Sequence, residues 1–153
     1  MLPIAQCPQC GAARPGDRTC SDDFDQMLYW ENENPENQAV HHLSVLCFHI
    51  QHPDLYSPQG LAEGKRLLID FVEGGLTTEE VRLRSRASLD SRNRTWKIKG
   101  APDAHGSHAR PVAWPMTAAD VVLGGEAGYL INVRRWAQVT LDALRETGNL
   151  TRR

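Results

Sequence analysis

Three cysteines near the start of the chain, Cys7, Cys10 and Cys20, have the types and spacing of metal ligands. Thiolates are soft donors that suit zinc, and a Cys-x-x-Cys turn presents two of them to one ion. Gly11, directly after Cys10, lets the backbone fold back so that amides face the sulfurs, and Pro8 presets one dihedral of the turn. The nine residues from 11 to 19 include Gly11, Pro15 and Gly16, enough for a loop to return to Cys20. Three thiolates alone would leave a divalent ion open and anionic, so a fourth ligand is required.

Helix geometry narrows the choice of that ligand. If the first two expected helices form an antiparallel hairpin turning near Glu33 and Asn34, Cys20 lies about thirteen residues before the turn. The same distance along the second helix, at about 1.5 Å per residue, reaches residues 47–50. This favours Cys47, His49 and His52 over His41 and His42. Cys47 falls on an apolar face and reads as a small buried hydrophobe. His52, at the end of the helix, is the more adjustable imidazole. The expected set is therefore Cys7, Cys10, Cys20 and His52 around Zn2+, with His49, His41 and Cys47 left as alternatives. Such a closed Cys3His site holds structure and leaves no open position for chemistry.

A second constellation is weaker. Six histidines occur in 153 residues, and the run His105-Gly-Ser-His108 lies in a stretch without periodicity. Meeting His41, this pair could form a three-histidine centre that activates water, as a hydrolase-like metalloenzyme would. No His-Glu-x-x-His motif, nucleophile elbow, phosphate loop or dinucleotide fingerprint supports an enzyme. A third reading rests on charge. The net charge of −2 conceals an acidic stretch, 1–81, with 13 acidic and 4 basic side chains. The next eighteen residues, 82–99, carry seven basic side chains against Asp90 alone. Nucleic acid could meet that stretch, with Trp96 stacking on a base. However, Arg82, Arg84 and Arg86 do not share a helix face, and a pI of 6.3 is low for such a role.

The elements that must position these residues read as helices. Ser21 with Asp22 and Asp23 predicts a helix over 21–32. Asn34-Pro35 predicts the start of a second, running to His52 with Ala39, Leu43, Leu46, Cys47 and Ile50 inward and Pro53 as its stop. Ser57-Pro58 opens a third, with Leu61, Leu67, Leu68, Phe71 and Val72 inward, ending at Gly74-Gly75. Thr77 and Glu80 form a capping box, with Leu76 and Val81 as its staple, for a fourth that fades near Leu89. Residues 95–99 could be extended and 100–115 a long loop. Thr117 and Asp120 again form a cap, and a final helix over 126–147 presents Leu130, Val133, Ala137, Leu141 and Leu144, widened by Tyr129 and Trp136. Tyr29, Trp30 and Trp136 suit a subunit interface as well as a core. The expected fold is an all-α single domain: a bundle of about five helices over 21–148, with a knuckle over 1–20 docked on one end.

The Cys7-Pro-Gln-Cys10-Gly-Ala start, Cys20 near Phe24, His41-x-Leu43-x-Val45 and Gln51-His52-Pro53 together resemble a family of small bacterial proteins of unknown function. The resemblance extends more loosely to Thr117-x-x-Asp120-Val121 and Val133-x-x-Trp136-Ala137, so it covers most of the chain. It favours His52 as a ligand and draws attention to His41, three turns earlier on the same face. It implies no activity. The residues thus support a zinc-stabilised binding or adaptor module with an unknown protein or small-molecule partner. No apolar run reaches the roughly 18 residues of a membrane span, and residues 1–7 lack the features of a signal peptide, so a cytoplasmic location is expected.

Overall fold

The computed structural model describes residues 5–77, 79–80, 83 and 98–151. Two short strands, β1 (Ala5–Gln6) and β2 (Ala13–Arg14), pair antiparallel and form the base of the cysteine turn. Five α-helices follow among the described residues: α1 (Cys20–Glu33), α2 (His41–Gln51), α3 (Pro58–Val72), α4 (Ala118–Leu123) and α5 (Tyr129–Glu146). The architecture is a mostly helical bundle with one small sheet. None of the helices is long and apolar enough to cross a membrane.

α5 is the central element. Its face of Tyr129, Val133, Trp136, Ala137, Leu141 and Leu144 is buried against Met27 of α1, Leu46, Cys47 and Ile50 of α2, Leu68 of α3 and Val121 of α4. Trp136 is fully buried, which places it in the core, whereas Tyr29 is exposed. The end of α5 is tied to the end of α3 by a bidentate ion pair, Arg145 donating to both Glu73 oxygens at 2.6 and 2.7 Å.

Three expectations about helix ends need correction. The N-cap of α1 is Thr19 and not Ser21: its hydroxyl accepts from the Asp22 amide while the Asp22 carboxylate accepts from the Thr19 amide. The cap lies earlier because that reciprocal pair satisfies two orphan donors at once, and it puts Cys20 at the first helical position. The helix expected from Pro35 to His52 is broken into a 3₁₀ segment, Pro35–Val40, and α2. The side chains of Asn37 and Gln38 turn back to donate to the carbonyls of Trp30 and Glu31, satisfying the end of α1. That return holds the connection in the tighter 3₁₀ winding. The final helix likewise begins with a 3₁₀ turn, Glu126–Gly128, before α5 proper.

The fourth expected helix and the extended piece around Trp96 lie outside the described residues, except for the start, where the Glu80 amide donates to Thr77 Oγ1 at 3.2 Å. The long loop after it is strapped to the corner between α2 and α3. Ser57 N donates to Ile98 O, Gly100 N to Leu55 O and Gly106 N to Tyr56 O, at 2.7, 3.0 and 2.7 Å. Gly100 sits so close that a Cβ there would lie 2.2 Å from the Asp54 carbonyl oxygen and 2.7 Å from that of Tyr56. Gly100→Ala is expected to cost about 1–3 kcal/mol, the usual range for overpacking. Urea denaturation reads this directly, and an unchanged midpoint would mean that the strap is not held as described.

Candidate metal centre

The cysteine turn is built by local backbone bonds. Cys7 N donates to Ala12 O and Gly11 N to Cys7 O, both at 2.9 Å, and Gly11 takes the left-handed conformation at φ +80° that glycine adopts without strain. The fold-back aims two amides at sulfur: Cys10 N at Cys7 Sγ, 3.5 Å, and Ala12 N at Cys10 Sγ, 3.4 Å. Cys20, at the start of α1, brings its Sγ to 3.6 Å from that of Cys10.

The imidazole comes from the far end of α2. His52 Nδ1 lies 2.7 Å from the carbonyl oxygen of Phe48. A carbonyl only accepts, so Nδ1 carries the proton and Nε2 presents its lone pair. That Nε2 is buried and has no hydrogen-bond partner. The ring also packs on Phe48, centroids 4.3 Å apart, and Phe48 in turn stacks on Phe24 of α1. The donor atoms of Cys7, Cys10, Cys20 and His52 all lie within 4.8 Å of one another. A tetrahedral ion with bonds of about 2.3 Å to sulfur needs ligand atoms roughly 3.8 Å apart, so the four are close enough to bind one metal ion.

The electrostatics of the thiols point the same way. Burial pushes the Cys10 and Cys20 thiols up; the charges of Cys20 and Cys7 push Cys10 further, whereas for Cys20 the bond with Cys10 acts downward and Cys7 acts upward. For Cys7 burial also acts upward, but amide bonds from Cys10 and Gln9 and the side chain of Arg14 outweigh it and bring the thiol down to about 6. Three thiols crowded in this way repel as thiolates, and a divalent cation among them relieves the repulsion.

The knuckle is pinned to the bundle twice. Cys7, Cys10 and Ala12 pack with Cys20, Trp114 and Ala119. Gln9, inside the Cys-x-x-Cys turn, donates from Nε2 to Asp54 Oδ1 at 2.7 Å and accepts from the Asp54 amide at 3.4 Å. Asp54 lies in the 3₁₀ turn Pro53–Leu55 that follows His52, so this clamp fixes both halves of the ligand set. Its neighbour Gln51, fully buried, donates to the Met116 carbonyl at 2.8 Å and to Thr140 Oγ1 at 3.2 Å. Spacing points to neither glutamine; both stand only in the motifs of the resemblance, Cys7-Pro-Gln-Cys10 and Gln51-His52-Pro53.

The other candidates are placed elsewhere. Cys47 is fully buried in the core and burial raises its thiol to about 12. His49 Nδ1 donates to the Val45 carbonyl and its ring lies against Tyr56. The structure does not bring His41, His105 and His108 together. His41 Nδ1 meets Glu31 Oε1 at 2.6 Å near the start of α2, whereas His108 Nε2 donates to the Ile50 carbonyl near its end, and His105 is exposed. Nine residues of helix separate the two ends, roughly 13 Å, which rules out a shared ion. Apart from exposed Lys99, the basic side chains of 82–99 fall outside the described residues.

No curated protein and no solved structure matches the chain significantly. A family model does match, over residues 5–145, a span that takes in all four candidate ligands and nearly the whole bundle. With that coverage, the chain belongs to the family of unknown function DUF5946.

Proposed function

We propose that the four residues bind one Zn2+ as a closed structural site, and that the protein works as a binding or adaptor module whose knuckle the metal holds in place. The observation that carries this reading is His52: a buried Nε2 lone pair without a partner among the described residues, its tautomer set by Phe48, beside three thiols within 4.8 Å. An unpartnered buried nitrogen costs on the order of 1–3 kcal/mol, which a metal bond removes. The donor set, soft sulfur with one imidazole, suits tetrahedral zinc. A carbonyl fixing the distal nitrogen of a ligating histidine is the usual supporting contact of such sites. Arg14, set against Cys7, offsets the net negative charge of three thiolates around a divalent ion.

A closed site performs no chemistry of its own, so the reading assigns the metal to shape. The knuckle and α4 enclose a cleft of about 660 Å³ beside the ligands, walled by Pro8 and Ala13 on one side and Val122 and Leu123 on the other, with Trp114 between. Metal analysis of the purified protein tests the proposal. One zinc per chain is expected, with X-ray absorption showing three sulfur neighbours and one nitrogen. A sub-stoichiometric or nitrogen-and-oxygen-only metal would sink it.

A further inference from the structure

On a part of the surface formed by α3, the loop after Gly100 and the residues following α5 lies an open pocket of about 380 Å³. Its polar lining is Lys65, Arg66, His105 and Ser107, and Leu61 and Leu150 contribute apolar surface. Among the described residues no carboxylate lines it, in a chain whose acidic side chains outnumber its basic ones by 19 to 17. Lys65 is half-buried, and no carboxylate among the described residues pairs with it. Among the described residues Arg66, itself exposed, has one long ion-pair contact, to Glu63 at 3.5 Å. His105 Nδ1 donates to the Gly106 carbonyl at 2.9 Å, which fixes its ring at the pocket wall.

We propose that this pocket binds a small organic oxyanion, a carboxylate or phosphate group carrying a short apolar chain. Lys65 and Arg66 supply the charge, the Ser107 hydroxyl supplies a hydrogen bond, and Leu61 and Leu150 receive the apolar portion. A half-buried ammonium without an internal counter-ion is desolvated at a cost, and burial holds the Lys65 amine below its usual range. An anion in the pocket offsets that cost with charge-assisted hydrogen bonds. The ring behind Lys65 does not compete for the ligand: burial and then the Lys65 charge both depress His108, whose Nε2 is engaged by Ile50. The volume suits a small metabolite and is too small for a folded partner. This site is separate from the cysteine knuckle and does not depend on the identity of the metal.

The test is a titration of the metal-loaded protein, followed by amide chemical shifts. Sodium phosphate and sodium butyrate are added separately, each against sodium chloride at matched ionic strength. Saturable shifts at Leu61, Gly106 and Ser107 are expected with at least one probe, and the stronger probe identifies the headgroup as phosphate or carboxylate. Lys65→Met should weaken that binding about tenfold or more, as loss of a charged hydrogen bond does. Lys65→Arg should largely retain it, and Arg66→Met, at an exposed position, should weaken it without touching the fold. Shifts no larger than those from chloride, or Lys65→Met titrating like the parent protein, would overturn the proposal.

Discussion

On the proposed structural-zinc site, Cys10→Ser should lose the metal and lower stability by several kcal/mol. The residue is central to the site: its sulfur receives the Ala12 amide at 3.4 Å and lies 3.6 Å from Cys20 Sγ. A serine hydroxyl does not ionise there and is a poor zinc donor, so the remaining three ligands would hold the ion weakly. In isolated zinc-finger peptides metal binding is worth about 10–16 kcal/mol, because nothing else holds the fold. Here the α2–α3–α5 core packs without the knuckle, so the loss should be smaller and centred on residues 5–20. Zinc per chain, the melting temperature and amide exchange of the knuckle read the three parts of this expectation. Cys47→Ser is the control: its thiol belongs to the core, so stability falls while zinc stays at one per chain. A melting temperature unchanged by Cys10→Ser would end the structural-metal reading.

The second large effect is expected at Glu31, a carboxylate only 1 % exposed in the middle of the bundle. Its Oε1 meets His41 Nδ1 at 2.6 Å, and its Oε2 accepts from Ser44 Oγ at 2.9 Å and from the Tyr129 hydroxyl. The network joins α1, α2 and α5, and the Tyr129 hydroxyl is driven upward in pKa first by burial and then by this carboxylate. Glu31→Ala removes the acceptor from three donors and leaves a cavity, a combination that costs about 3–5 kcal/mol. Glu31→Gln keeps the shape and one acceptor oxygen, and should cost less. In a double-mutant cycle with Tyr129→Phe the penalties should fall short of additivity, since both substitutions break the same bond. Full additivity would mean that the hydroxyl and the carboxylate do not interact as described.

Much of the candidate site was legible because its parts are local. The Cys7–Gly11 turn needs only a proline, a glycine and two thiols within five residues, and each has a conformational reason to be there. Of the expected inward stripe of α5, Val133, Ala137, Leu141 and Leu144 are buried at helical spacing, whereas Leu130 at its start is only half-buried. Helix ends were less legible. Thr19 and Ser21 are both good caps, and only the reciprocal bond from Asp22 separates them. The break at Val40 is not visible in the spacing because it depends on the side chains of Asn37 and Gln38 bonding back to the carbonyls that end α1.

The sequence by itself determined the cysteine knuckle, the number and placement of most helices and the short set of histidines able to complete the ligand set. The tertiary structure brings His52 within 4.8 Å of the three sulfurs. His49 and His52 stand three residues apart, and spacing cannot separate them. The choice follows from where the end of α2 lands: the Gln9–Asp54 clamp, the Phe24–Phe48–His52 stack and the Phe48 carbonyl turn Nε2 of His52 toward the thiols. The same holds for Glu31, whose partner Tyr129 is 98 residues away. Turns and helix faces are set by neighbours within a few residues, whereas the partner of a buried polar group is set by packing between elements remote in the chain.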